Sequence, residues 1–349
     1  MHDTRHIPIE NRVSEAALED LVVRHYAIRP VSIAVLGGYS NLNYRLTDPA
    51  GRAYVLRVSR LNRLADSAGA EAHVLRSLER QGYGMAPHLI DPVELVDPVD
   101  PLKRKSPLRV EIGGAEHYIQ LSHLIPGSID CYWWQHCSID KLEQIFRGLA
   151  GLHQAMAAVP ALQEVPAPAF QYVLPEQAPE LLAATATGQY VLDNWVLFRQ
   201  SAIRLQIDMA NHYPWQDARY QWIHGDVQLE NVLFERGYLT GFLDFERVSW
   251  DACEKDVIFS AFRVCKEGNT DTPFLYDPAR LARAIEAYRE KEAGLCSYFF
   301  SGYGDLWKPM FCLDQAMVYL ENAFDGSWQL AEGIGFLPVF NEVLQYRNV

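Results

Sequence analysis

Residues 222–246 read WIHGDVQLENVLFERGYLTGFLDFE, and they bring His224, Asp226, Asn231, Asp244 and Glu246 into one short stretch. An aspartate can take or orient the proton of an attacking hydroxyl. A second carboxylate and a side-chain amide offer hard oxygens of the kind that magnesium prefers. Phosphoryl transfer to an alcohol needs both functions together. One at a time, these residues have plainer uses: His224 as a satisfied core histidine, Asp226 or Asp244 as a turn residue or helix cap. Those plainer uses do not account for the whole set at this spacing.

The chain between them supplies the positioning. The runs 232–234 and 238–243 are largely apolar and Gly237 separates them, a pattern that predicts a β-hairpin. Such a hairpin holds Asn231 near its entrance and Asp244 near its exit. Asp226 precedes Asn231 by five positions. Protein kinases use that offset in H-R-D-x-x-x-x-N, with the aspartate as base and the asparagine on the metal, and a metal-binding D-F-G aspartate follows.

Here H-G-D, the asparagine and D-F-E stand in the same order. The segment resembles the catalytic core of the aminoglycoside phosphotransferase and choline kinase-like family, small-molecule kinases related in fold to protein kinases. The resemblance runs from about residue 36 to residue 256 and is concentrated at 224–246. It implies an α+β, two-lobed protein-kinase-like fold, with an antiparallel-sheet N-lobe in residues 1–124 and a mainly helical C-lobe in residues 125–349. It also implies ATP- and Mg2+-dependent phosphorylation of a hydroxyl on a small molecule, such as an aminoglycoside, a choline-like or homoserine-like compound, or a sugar. In that scheme Asp226 is catalytic, and Asn231 and Asp244 hold the metal. Glu246 reaches a second metal or a water, and His224 braces the loop. Asp256 matches a family aspartate that also braces the loop.

In the first 124 residues, a helix is predicted over 14–26, with Ser14 as N-cap and Leu18, Leu21, Val22 and Tyr26 on one face. Strands are predicted at 31–36, 43–47 and 53–58, with a turn at 48–51. Between the first two strands lies Gly37-Gly38-Tyr39-Ser40-Asn41. Alone it reads as an ordinary hairpin turn. The resemblance makes Gly37, Gly38, Ser40 and Asn41 a phosphate loop, without the full protein-kinase G-x-G-x-x-G. The third strand carries Val55-Leu56-Arg57-Val58 where protein kinases have V-A-I-K. Arginine can bind phosphate bidentately, so the resemblance assigns Arg57 to the nucleotide phosphates; the bland alternative is a surface arginine on an edge strand. A helix over 65–81, ended by Gly82, carries Glu71, which the resemblance pairs with Arg57. A fourth strand is predicted over 87–93, and a hairpin over 108–112 and 117–124. By resemblance, the backbone groups of Ser122, His123 and Leu124 receive the adenine. The intervening loop 94–106 holds Lys103-Arg104-Lys105, read as a solvated tip.

Ile125-Pro126-Gly127 is the best domain boundary. Beyond it, Trp133 and Trp134 either line a substrate pocket or pack the lobe. Helices are predicted over 139–156, 190–213, 278–291, 306–322 and 337–346, and His153 in the first of them reads as structural. The stretch 160–179 is Pro-rich and irregular.

The chain has 349 residues, 49% hydrophobic and 21% charged, and a net charge of −13. That size suffices for two lobes, and that charge argues against non-specific nucleic-acid binding. Solubility explains the acidity as well as a cationic substrate does. Six cysteines at 131, 137, 253, 265, 296 and 312 form no C-x-x-C and no zinc spacing, as expected of reduced thiols in a cytoplasmic protein. The N-terminus lacks the apolar core of a signal peptide, and no run reaches the roughly 20 apolar residues of a membrane helix. Two rival readings remain. A protein kinase would need an A-P-E segment and an activation loop, yet only 246–251 separate D-F-E from the next predicted helix. A pseudokinase-type nucleotide-binding module would fit Arg57 at the lysine position but not the intact Asp226, Asn231 and Asp244. The sequence specifies no oligomeric state.

Overall fold

A computed structural model of the protein describes residues 13–37, 41–59, 65–93, 107–132, 135–162, 172–267, 274–295, 297–301, 306–324, 326, 329–330 and 335–346. The chain divides into two compact units. The first takes in Met1–Ser128, Leu233–Arg236 and Thr240–Ser249, and the second the remainder. Neither unit is contiguous in sequence.

The first unit is built on one sheet. Helix α1 (Glu15–Tyr26) starts where the Ser14 side chain accepts from Ala17 N. Strands β1 (Ser32–Gly37), β2 (Leu42–Thr47) and β3 (Ala53–Val58) follow, then α2 (Ala65–Arg80), β4 (Leu89–Ile90), β5 (Leu108–Ile112) and β6 (Ala115–His123). The strand order is β1-β2-β3-β6-β4, with β5 paired to β6, and each pairing is antiparallel. Leu18, Leu21, Val22 and Tyr26 of α1 join Tyr44, Leu46, Tyr54, Leu56, Val58, Ile119 and Leu121 in one core cluster. Side chains alternate across a strand, so Tyr54, Leu56 and Val58 enter that core while Val55 and Arg57 take the other face. The fourth strand is shorter than the predicted 87–93. Pro87 and Pro92 flank it, and proline has no N–H to give a ladder.

The second unit is mainly helical. It holds α3 (Ile139–Ala157), α4 (Ala186–His212) and β7 (Tyr220–Ile223). The hairpin strands β8 (Val232–Glu235) and β9 (Tyr238–Phe242) are contributed to by both units. They are followed by β10 (Ser249–Ala252), α5 (Cys253–Cys265), α6 (Pro278–Arg289), α7 (Lys308–Phe324) and α8 (Phe336–Leu344). The hairpin turns through Arg236 at φ 53° and Gly237 at φ 84°, the paired positive angles of a type I′ turn. Helix α4 begins four residues before the predicted 190, because Thr185 Oγ1 accepts from Gly188 N at 2.9 Å. Gly188 is obligatory there: a Cβ would lie 1.8 Å from Leu182 O. The short pair β7–β10 was not expected. Every residue of α5 except Lys255 is buried, so its charged Glu254, Asp256 and Arg263 must find partners inside the protein. The described cysteines are free thiols. Among the described residues, no helix is long and apolar enough to cross a membrane.

Candidate active site

In the first unit the chemistry gathers on Arg57. Its Nη1 lies 2.7 Å from Glu71 Oε1, and its Nη2 lies 2.7 Å from Asp244 Oδ1 and 3.0 Å from Glu246 Oε2. The Arg57 side chain is 12% exposed. Burial alone would lower its pKa, but the three carboxylates outweigh burial and push it above the usual guanidinium value. Asn41 is buried, and its Nδ2 donates to Glu246 Oε2 at 2.8 Å. Ser67 Oγ donates to the Glu246 carbonyl at 3.3 Å. Asp244 follows β9 and adopts the left-handed region at φ 61°, where aspartate is tolerated better than most residues. Its side chain is 35% exposed, the least enclosed of the four charged groups.

The remaining predicted nucleotide residues are placed differently. Gly37 ends β1 beside an irregularity in the β1–β2 register, with φ 101°, a backbone that requires glycine. Gly38 and Ser40 lie outside the described residues, as do Trp133, Trp134 and the basic triplet at 103–105. At the expected adenine segment, His123 N donates to His88 O and Leu124 N donates to Ala53 O, both at 3.1 Å, while Ser122 pairs in register with Val55 and with Leu89. The amides of His123 and Leu124 are therefore committed within the sheet region. β6 is flanked on both sides, by β3 and by β4.

In the second unit the H-G-D loop is held from beneath. Asp256 is fully enclosed, and its Oδ2 accepts from His224 N at 2.9 Å and its Oδ1 from Gly225 N at 3.0 Å. Gly225 sits at φ 77°, which explains the glycine of the motif. His224, with no exposed surface, accepts from Asp226 N through Nδ1 at 3.2 Å. Asp256 Oδ2 also meets His153 Nε2 at 2.9 Å, and His153 Nδ1 lies 2.9 Å from both Tyr288 Oη and Cys253 Sγ. Burial opposes charge on His153, but the Cys253 sulfur and the Asp256 carboxylate outweigh it and raise the pKa to about 10. Burial likewise works against the Asp256 carboxylate, and the His153 contacts reverse this and lower its pKa.

Asp226 stands above this support. Asn231 Nδ2 donates to Asp226 O at 2.9 Å and to its Oδ2 at 3.0 Å, and Gln228 Nε2 reaches the same Oδ2 at 3.4 Å. Arg263 Nε lies 3.3 Å from Asp226 Oδ1. Glu230 and Lys266 are close enough to feel Asp226. Burial raises the Glu230 pKa and lowers that of Lys266, with their mutual attraction opposing both shifts. Sequence reasoning missed Gln228 and Arg263. A lone arginine in the apolar run VIFSAFRVC was the available signal for the second.

A sequence model described as "Phosphotransferase enzyme family" matches residues 32–295. The chain belongs to that family, and it is a phosphotransferase of the small-molecule kinase class that its motif order implies. No curated protein matches it at a significant level. Among solved structures, it resembles the amicoumacin kinase hAmiN in complex with AMP-PNP, Ca2+ and Ami, at TM-score 0.63 and 15% identity over 96% of this chain and 95% of that one. A microcompartment-associated aminopropanol kinase matches at TM-score 0.64 and 15% identity, over 94% of each chain. A spectinomycin phosphotransferase in complex with ADP and spectinomycin matches at 0.57 and 13%, over 95% of this chain and 94% of that one. These likenesses fix the fold as that of the small-molecule kinases, with the expected antiparallel sheet and helical remainder.

Proposed function

We propose that this protein moves the γ-phosphoryl group of ATP, with magnesium, to a hydroxyl of a small molecule. The observation that carries the reading is the hydrogen-bonded pair of Asp226 and Asn231, 3.0 Å apart at the five-residue spacing. Asp226 orients the acceptor hydroxyl and takes its proton. Arg57 holds the nucleotide phosphates and Glu71 keeps it aimed. The side-chain donors suit magnesium: Asn231 offers an amide oxygen and Asp244 a part-exposed carboxylate, both hard ligands, with water and phosphate completing the set as this ion prefers. Bound there, the metal would neutralise charge on the β- and γ-phosphates. Glu246 lies on Arg57 beside Asp244 and serves the same end of the nucleotide. His224 and Asp256 hold the loop. Free thiols support a cytoplasmic location.

The substrate classes named by the similar structures, antibiotics and an amino alcohol, come first as acceptors, followed by choline-like, homoserine-like and sugar hydroxyls. The test is ADP release from ATP and MgCl2 across these classes, with mass detection of the phosphorylated product. Turnover with one class is the expected result. Tight ATP binding without phosphate transfer to any of them would favour a nucleotide-binding module instead.

A further inference from the structure

The buried guanidinium of Arg263 is the feature of the second unit that the proposed reaction has not yet used. Arg263 lies on α5, seven residues after Asp256, and is 3% exposed. Its charged plane faces two aromatic rings, with Cζ 5.6 Å from the Phe311 centroid and 6.0 Å from that of Phe259. Two carboxylates flank it. Nε is 3.3 Å from Asp226 Oδ1, and Nη2 is 3.3 Å from Asp314 Oδ2. Asp314 is buried on α7, and its Oδ1 accepts from Tyr172 Oη at 2.7 Å. A chain of contacts thus runs from Tyr172 through Asp314 and Arg263 to Asp226.

A guanidinium this enclosed is retained only where charged partners offset its desolvation. Its Nε and Nη1 make no hydrogen bond among the described residues, so the ion pair with Asp226 does not have full hydrogen-bond geometry. The consequence for Asp226 follows from its acceptor capacity. A carboxylate offers about four lone-pair sites. On Oδ2, Asn231 and Gln228 occupy two, and on Oδ1 Arg263 faces one. What remains is one direction on Oδ1.

We propose that Arg263 is a positioning residue for phosphoryl transfer: it fixes Asp226 Oδ1 so that the remaining lone pair of that oxygen meets the acceptor hydroxyl. The inference rests on the reading of Asp226 as the base. In the step, the acceptor oxygen bonds to the γ-phosphorus of ATP. The bond from that phosphorus to the β–γ bridging oxygen breaks, its electron pair leaving with ADP. The hydroxyl proton passes to Asp226 Oδ1. Asp314 and Tyr172 act one contact further out, by holding the far side of the guanidinium.

The test is a double-mutant cycle on Mg-ATP turnover, run with whichever of spectinomycin, 1-amino-2-propanol, choline, homoserine or glucose supports the highest rate, or with water as acceptor if none does. Arg263→Met should lower kcat up to about 100-fold, the scale of a misplaced catalytic group, with ATP affinity within about twofold of wild type by titration. Arg263→Lys should recover part of the loss, and Asp314→Asn should give a smaller one. In an Asp226→Asn background Arg263→Met should add almost nothing. If Arg263→Met does not fold, judged by its thermal transition, Arg263→Lys and Asp314→Asn decide in its place. An unchanged kcat in the folded variants overturns the proposal, as does an additive loss in the Asp226→Asn background. If Asp226→Asn lowers kcat and the Arg263 variants do not, only the Arg263 assignment falls. If Asp226→Asn leaves kcat unchanged, or wild type turns over no Mg-ATP, the function reading falls with it.

Discussion

Around Arg57 one guanidinium faces three carboxylates, whereas around Asp226 each carboxylate oxygen has a donor or cation of its own. The first arrangement keeps one carboxylate, that of Asp244, partly open to solvent. The second is close to saturated, and it stands on a floor of Asp256, His224 and His153 with essentially no exposed surface. A group suited to receiving a ligand keeps some exposure. A group designed to hold a geometry is buried and its hydrogen bonds are nearly all spent. Asp244, 35% exposed, and Asp256, whose side chain is 0% exposed, are two aspartates of the same stretch of chain that illustrate the contrast.

The sharpest way to break this comparison is Asp244→Asn. The variant should lose magnesium-dependent turnover while its thermal midpoint stays near that of wild type, because a part-exposed ligand contributes more to binding than to folding. Near-normal turnover would remove Asp244 from the metal assignment. Next in size is Asp226→Asn. An amide keeps the shape but cannot take the proton, so kcat should fall by about 10²–10⁴-fold, the usual worth of a general base, with ATP affinity unchanged in a nucleotide titration. If Asp226 were only a turn residue, stability would drop and turnover per folded molecule would not.

Arg57 tests the first of the two clusters. Arg57→Ala should weaken ATP affinity by about 10- to 100-fold, as expected for loss of charged hydrogen bonds, and Arg57→Lys should keep part of it as a point charge. Glu71→Ala should give a milder loss in the same parameter. ATP affinity unaffected by Arg57→Ala would return this residue to a structural role.

The smallest effect on turnover, and the clearest on stability, belongs to His153→Gln. Removing one partner of a buried ion pair costs about 3–5 kcal/mol, and here the cost depends on pH. The folded His153 pKa of about 10 lies above its ordinary 6.5, so the stabilisation is complete below pH 6.5 and is lost as pH rises toward 10. The depressed Asp256 pKa acts at the other end, being complete above its ordinary 3.8 and lost below that. The gap in thermal midpoint between wild type and His153→Gln should therefore narrow between pH 6.5 and 10. A constant gap across that range would show that His153 acts by packing alone.

Much of the local structure was legible because local rules govern it. The Ser14 cap, the 3.6-residue stripe of α1, the alternation of β3 and the Arg236–Gly237 turn of the β8–β9 hairpin are each decided by a few neighbouring residues. The same holds for the spacing that sets Asn231 against Asp226, since five residues of loop close on themselves. Where competing signals met, the reading failed: Thr185 started α4 ahead of Tyr190, and two prolines cut β4 to two residues.

By itself, then, the sequence determined the class of chemistry and the hairpin, because motif spacing and turn preference act over a few residues. The resemblance paired Glu71 with Arg57, but only the tertiary structure decided the other partners of that arginine and those of Asp256. Asp256 meets His153 across 103 positions, Arg57 meets Asp244 across 187, and Tyr172 meets Asp314 across 142. It also committed the amides of His123 and Leu124 to neighbouring backbone. No periodicity records such pairings. They arise when packing removes water from a charged group and only a distant residue is left to replace it.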